Sequence, residues 1–543
     1  MQGKLGSTLV CLSIGLSSFF IVTGGAVLPS DNIAWLSSGD AAVQYLGWAF
    51  FRQDKWSVPL GLNPTFGLEL GNSVVYSDSI PLLAILFKTI EALLPSVFQY
   101  FGLWILACFV LQAVFAWKVC GFVLQDLLAR SAMTGFFTVA PPMLMRLPGH
   151  ISLGGHFLIL AAIYLALASR ERRRAAAFVL LLNVAAGVHA YFLVMVGVIW
   201  LASLADGLIR HSITRRHGLW EFAAGVVSTS FVCWQLGYFT FTQGLGVGSY
   251  GFYHLNLLSL VDPHGWSYFL PSIPMGPGDY EGFNYLGVGV LLLLLAAIPM
   301  ARAGLSGIRR QVVAMPMLTI AMAGLMVFAI SNFIGIANFV VEIPIPHAVY
   351  LVISAFRASG RMFWPIYYLI VLAILFLFVR AYGVRRARWL LPLALVVQVA
   401  DTSAGWPFRG SNPAQASTST WGSKLTDPFW SQAAKRYSKV RWLLPANTSP
   451  EWLSLSYFAA THGLATNAVY LARTDNDAVR AARDDAQRRL LEGRYEADTL
   501  YVLDAPSARI ARDHLNERDM MAVIDGFQVL APGWRSCGTC RQY

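Results

Sequence analysis

A succession of apolar stretches constrains this chain more than any other feature. Most are long enough to approach the roughly 20 residues that a helix needs to cross a bilayer core. Inside a bilayer each backbone N–H and C=O must find its partner within the protein, so such stretches fold as helices. Spans are expected at residues 7–28, 97–117, 132–144, 153–168, 175–188, 193–208, 220–238, 285–301, 312–334, 363–379 and 389–399. With 56% hydrophobic and 13% charged residues among 543, an ordinary soluble domain is excluded. The net charge of +11 does not point to nucleic acid, because the basic residues lie in short runs between apolar segments. That is the positive-inside pattern, so the charge reports topology.

Parity gives the orientation. With about eleven spans, Lys4 and the basic runs at 118–130, 170–174, 210–217, 302–310 and 380–388 share one side, read as cytoplasmic. The segment 79–94 carries Lys88 and Glu91 and is read as an interfacial or re-entrant helix, since counting it as a span would break the parity. After about residue 401 the composition becomes ordinary, and extended runs alternate with helical ones. The expected fold class is therefore an α-helical polytopic membrane protein, residues 1–401, with a first external loop at 30–96 and a C-terminal external α/β domain at 402–543. Cys11, Cys108, Cys120 and Cys233 lie in or beside apolar segments and are read as packing residues. Cys537 and Cys540 lack a thioredoxin-like setting, so a structural disulfide on the oxidising side is expected.

The unusual polar groups collect opposite the basic runs. In the first loop, SGDAAVQYLGWAFFRQ reads as a short helix at about residues 41–52, which Asp40 can cap. The other reading makes Asp40 a general base or acceptor-orienting carboxylate at the membrane surface. Asp78 and Glu69 are also candidate substrate-binding carboxylates, against the readings of Asp78 as a cap of the following helix and Glu69 as a solvated loop charge. Arg357 and Arg361 are four residues apart, so a helix would place them on one face. Two guanidiniums at a membrane boundary suit a phosphate or diphosphate, or they snorkel to headgroups. Ser359 and Gly360 between them would allow a ligand to approach closely. In RLPGHISLGGH, Arg146, His150 and His156 suit hydrogen bonds to phosphate or sugar, or a structural polar loop. The two histidines are not spaced as a helical metal pair. Glu281 is either a second site carboxylate or a cap.

These features together resemble the GT-C superfamily of membrane glycosyltransferases. The residues that carry the resemblance are SGDAAVQYLGWAFF, YSDSIPLLAILFK, RLPGH, YEGFNYLG and FRASGRMFWP. The likeness covers roughly residues 1–400 and is to an uncharacterised bacterial family of GT-C-like membrane proteins. It departs from some members in having one acidic residue, not two, at the first position, and in lacking a WWD-like signature. The resemblance implies a glycosyltransferase that uses a polyprenyl-phosphate sugar donor and inverts the anomeric carbon. The acceptor is a glycan, lipid or protein, the partners include membrane lipids and no nucleic acid, and the location is the bacterial inner membrane with a periplasmic C-terminal domain. Asp40 is the implied catalytic residue. Gln44, Tyr45 and Trp48 would shape the sugar pocket, with Arg357 and Arg361, then Arg146 or His150, facing the departing phosphate. No cofactor is required, and a divalent metal is allowed without being demanded. Two other classes fit the same pattern: a transporter or flippase of lipid-linked sugars, and a non-catalytic envelope assembly protein.

Overall fold

The computed structural model describes residues 2–168, 174–241, 250–300, 302–406, 408, 418–538 and 540. Most of the basic run at 170–174 therefore lies outside the described residues. The chain packs as two compact units. One comprises Met1–Asn32, Gln99–Phe231 and Gly246–Ser417, and the other Ile33–Phe98, Val232–Leu245 and Thr418–Tyr543.

The first unit is mostly helical. Four helices are long and apolar enough to cross a membrane: Gly6–Thr23, Phe101–Cys120, Ala190–Ile209 and Ser359–Gly405. A fifth arises if the bent pair Val288–Met300 and Gly304–Ala314 is one span. Ile151–Leu167, Arg174–Val188 and Pro316–Ile330 are apolar but shorter. The protein is thus a multi-pass membrane protein, with four to five candidate spans by length and composition among the described residues, where the sequence leads us to expect eleven.

The differences have local causes. The stretch at 132–144 is divided by Pro141, which opens a new turn at Pro141–Leu144 after the helix Leu127–Thr138. The expected spans at 363–379 and 389–399 are two helices within Trp364–Thr402 that meet at a kink at Gly383, between the two expected stretches; its φ of 71° is a left-handed conformation that glycine adopts without steric cost. The apolar stretch at 312–334 ends its helix at Ile330 and runs into a hairpin of β1 (Phe333–Ile336) and β2 (Phe339–Glu342).

Buried polar groups brace this unit at helix ends. Asp206 accepts from Met317 and Leu318 N–H at 2.9 and 3.0 Å, which satisfies donors at the start of Pro316–Ile330. Asp401 accepts from Tyr285 Oη at 2.8 Å, from Val288 N–H at 2.9 Å, and from Ser267 Oγ.

The second unit carries a five-stranded sheet of β3 (Lys439–Trp442), β4 (Ala465–Thr466), β5 (Thr499–Leu503), β6 (Met520–Ile524) and β7 (Phe527–Ala531), in the order β4-β3-β5-β7-β6. The β4–β3–β5 pairs are parallel and β5–β7–β6 antiparallel, so this part is mixed α/β. Aspartates open three of its helices: Asp427, Asp475 and Asp504 each accept a backbone N–H from the first turn. A core of Leu443, Leu490, Leu503, Leu530 and neighbours lies under the sheet. The first-loop segment joins this same sheet. Gly67 N–H donates to the Thr466 carbonyl and Thr466 N–H to the Thr65 carbonyl, both at 2.9 Å, so residues 65–67 extend the edge beyond β4. Segment 79–94 forms only a short helix, Pro81–Lys88, and a turn at Glu91–Leu93. Cys537 and Cys540 are disulfide-bonded, and the other four cysteines are buried and free.

Candidate functional site

Three segments distant in sequence bring a cluster of charge together inside the first unit. Arg146 follows the turn Pro141–Leu144, Glu281 sits in the 3-10 turn Asp279–Gly282, and Arg361 sits in the 3-10 helix Ser359–Phe363. Arg361 grips Glu281 with two parallel bonds, Nε to Oε2 and Nη2 to Oε1, both 2.8 Å. Arg146 Nη1 donates to Oε2 at 2.6 Å, and its Nη2 reaches the Glu281 carbonyl at 3.0 Å. All three residues are buried, with Glu281 only 3% exposed. Burial alone would raise the Glu281 carboxyl, but Arg146 and Arg361 overcome it and hold the group well below the usual carboxylate range. Trp364 and Tyr191 offer ring faces to Arg146 and Arg361, at 5.6 and 5.0 Å. Two arginines against one carboxylate leave the cluster formally positive.

His150 lies at its edge, and Arg357 comes just before the 3-10 helix that carries Arg361. His150 Nε2 is 3.6 Å from Glu281 Oε1 and is partly exposed. Arg357 is half-buried, with its guanidinium 5.5 Å from the ring centre of Tyr253, and no carboxylate is within ion-pair distance of it among the described residues. His189 is buried. Its own desolvation, then Arg361 and His150, push its imidazole well below the usual range, so it stays neutral. In that form its Nδ1 accepts from Tyr191 N–H at 3.1 Å and caps the helix Ala190–Ile209.

Close backbone approach fixes the cluster. Gly360 N–H donates to the Tyr253 carbonyl at 2.9 Å. A Cβ on Gly360 would stand 2.7 Å from Gly282 Cα and 2.9 Å from the His254 carbonyl oxygen. The space at Gly360 is therefore filled by backbone, not left open to a ligand as the sequence suggested. This stacking presents Glu281 to Arg361. Gly360→Ala is expected to destabilise the protein by about 1–3 kcal/mol through overpacking. Gly324→Ala, where a Cβ would meet nothing within 4 Å, is the control. Equal thermal midpoints for the two purified variants in detergent would contradict the packing argument.

The other expected site residues fall in different settings. His156 is fully buried in a network, its Nδ1 2.8 Å from Tyr368 Oη, which also accepts from Gln112. Arg357 and Arg361 do not share a helix, because the helix His347–Ile353 ends before Arg357 and the 3-10 helix begins after it.

In the second unit, Asp40 is partly exposed in the first turn of the helix Gly39–Gln53. The N-cap is Ser38, so Asp40 is not the cap. Gln44 is buried, and its carbonyl accepts from Ser79 Oγ at 2.8 Å. Tyr45 packs against Trp421, and the fully buried Trp48 donates to the Phe98 carbonyl at 2.9 Å. Glu69 is paired with Arg441 at 2.9 Å and with Asn467 at 3.2 Å. Asp78 has a left-handed φ of 52°, and the N-cap of the following helix is Ile80, so capping by Asp78 is also overturned.

Two buried groupings were missed by sequence reasoning. His254 Nε2 lies 3.1 Å from Asp279 Oδ1, and Lys88 Nζ lies over the rings of Phe51 and Trp56 at 4.0 and 4.7 Å. Neither has a periodic signal that a sequence could display. Among the described residues, no three His, Cys, Asp or Glu side chains gather as a metal site.

These observations define a helical multi-pass membrane protein that carries a mixed α/β part and a buried arginine–carboxylate cluster with a net positive charge. The chain belongs to the DUF6311 family, described as a domain of unknown function, which matches residues 12–403; the DUF6311 C-terminal domain matches residues 429–532. No curated protein matches. Among solved structures, the archaeal oligosaccharyltransferase AglB from Archaeoglobus fulgidus, in complex with an inhibitory peptide and a dolichol-phosphate, aligns over 92% of this chain and 69% of its own. The identity is 10% and the TM-score 0.40.

Proposed function

We propose that this protein is an inverting GT-C-type glycosyltransferase that moves a sugar from a polyprenyl-phosphate donor to an acceptor hydroxyl at the outer face of a bacterial inner membrane. The observation that carries the reading is Arg357, a half-buried cation near the Tyr253 ring with no carboxylate within ion-pair distance among the described residues, four residues before Arg361 of a cluster that is net positive. As the bond between the anomeric carbon and the phosphate oxygen breaks, negative charge grows on that oxygen, and a fixed cation stabilises it. Arg146 and Arg361 are committed to Glu281, so their part is to hold the segment rigid while Arg357 meets the phosphate. Asp40 takes the acceptor's proton as the acceptor oxygen bonds to the anomeric carbon, and the prenyl phosphate leaves.

Reconstituted Arg357→Ala is expected to transfer sugar from a labelled polyprenyl-phosphate donor at least about tenfold more slowly than wild type, with unchanged folding. An unchanged rate would remove Arg357 from the site. The eleven-span topology belongs to the same reading. Reporter fusions after Arg174 and at Tyr543 are expected on opposite sides of the membrane, and finding both on one side would refute it.

A further inference from the structure

Between the helix Pro316–Ile330 and Arg357 the chain exposes an apolar stretch that the transfer reading does not use. Phe339, Val340, Val341 and Ile343 are exposed, as are Val349 and Val352 of the helix His347–Ile353; Phe339 is 66% and Val352 75% exposed. The register of the hairpin sorts its side chains. Ile334 lies opposite Val341, and Ile336 opposite Phe339. Side chains alternate along a strand, so these four share one face, while Phe333, Gly335, Val340 and Glu342 share the other. The second face meets protein, with Phe333 against Gly251 and Gly335 against His254. Leu257 N–H donates to the Gly335 carbonyl at 2.9 Å and pins β1 to that segment. The first face carries no polar group, and Ile336, Phe339 and Val341 on it are exposed.

The preceding helix indicates what covers this face. Ile320 and Val327 of Pro316–Ile330 are exposed and lie two turns apart, so they form one outward apolar stripe. In a multi-pass membrane protein, lipid is what covers such a stripe. The helix has 15 residues, which makes it about 22 Å long against a hydrocarbon core of roughly 30 Å. Only Ser331 and Asn332 separate it from β1, so the hairpin carries the apolar surface on where the helix stops short. The backbone limits how deep it can go. β2 has β1 on one side and no strand on the other among the described residues, and open strand edges do not occur in hydrocarbon. The edge must lie where headgroups and water reach it.

We infer that the hairpin is a membrane-interface element, which inserts the Ile334, Ile336, Phe339 and Val341 face into the boundary between acyl chains and headgroups. Its partner is the phospholipid surface itself. The inference does not depend on sugar transfer.

The test places a nitrobenzoxadiazole fluorophore on Phe339→Cys of the full chain in nanodiscs. Val341→Cys supplies a second position on the same face, and Glu517→Cys, exposed in the α/β part, is the aqueous comparison. Wild type taken through the same labelling corrects for the four buried free cysteines. Lipids with a nitroxide near the headgroup are expected to quench the probe at 339 and 341 more strongly than lipids with a nitroxide at mid-bilayer. Iodide in the water is expected to quench both positions at least about threefold less than it quenches 517. Iodide quenching equal to that at 517 would overturn the inference. So would stronger quenching by the mid-bilayer nitroxide, which would put the open edge in hydrocarbon. Protection from both quenchers would also overturn it, since a second copy of the protein would then cover the face.

Discussion

Glu281→Gln is expected to lower the stability of the helical unit by about 3–5 kcal/mol, because it leaves two buried guanidiniums without their shared counter-charge. The amide offers one acceptor oxygen where the carboxylate accepts three side-chain bonds from Arg146 and Arg361. Replacing all three groups with apolar side chains of similar size, as in Arg146→Met, Glu281→Leu and Arg361→Met together, is expected to be less damaging than Glu281→Gln alone. Desolvating an ion cluster costs nearly as much as its mutual attraction returns, whereas an orphaned buried charge has no compensation.

The pH dependence follows with a definite sign. The folded Glu281 carboxyl is held below its unfolded value, so its contribution is fully present above the unfolded range near pH 4.3. It declines as pH falls from there through the lower folded value. Thermal unfolding followed by tryptophan fluorescence should show wild type losing stability in that acid window, with a shallower loss in Glu281→Gln. Identical midpoints for wild type and Glu281→Gln at neutral pH would contradict this account of the cluster.

Asp40→Asn is expected to reduce sugar transfer by roughly 10²–10⁴-fold, the scale of general acid–base assistance, while leaving the fold intact. Asparagine keeps the size and the acceptor oxygen but cannot take a proton at neutral pH. The structure removes one competing explanation in advance. Ser38 is the N-cap of the helix Gly39–Gln53, so a loss of activity in Asp40→Asn is not a loss of capping. The negative charge in the first turn does favour the helix dipole, by about 0.3–1 kcal/mol. A thermal shift larger than that would mean Asp40 is chiefly structural.

What the sequence reveals follows the range of the interactions. The apolar stretches and the α/β tail are local patterns and were legible, as was the helix that carries Asp40. The pairing of Glu281 with Arg146 and Arg361 spans 135 and 80 residues, and no local pattern announces it. Each of these residues stood out singly, as a charge where charge is scarce. The role of Gly360 was misjudged for a related reason. A glycine signals close approach without saying to what, and here the partner is the backbone of Gly282 and His254. The pairing of residues 65–67 with Thr466 was hidden too, since nothing in a short extended segment names its neighbour.

The most direct test of sugar transfer is a labelled polyprenyl-phosphate sugar presented to purified wild type, Asp40→Asn and Arg357→Ala in liposomes, with an acceptor mixture extracted from bacterial envelopes. The account predicts that wild type transfers label with release of polyprenyl phosphate, that Asp40→Asn is at least about a hundredfold slower, and that Arg357→Ala is at least about tenfold slower. Full activity in both variants, or label that crosses the bilayer without leaving its lipid, would contradict it.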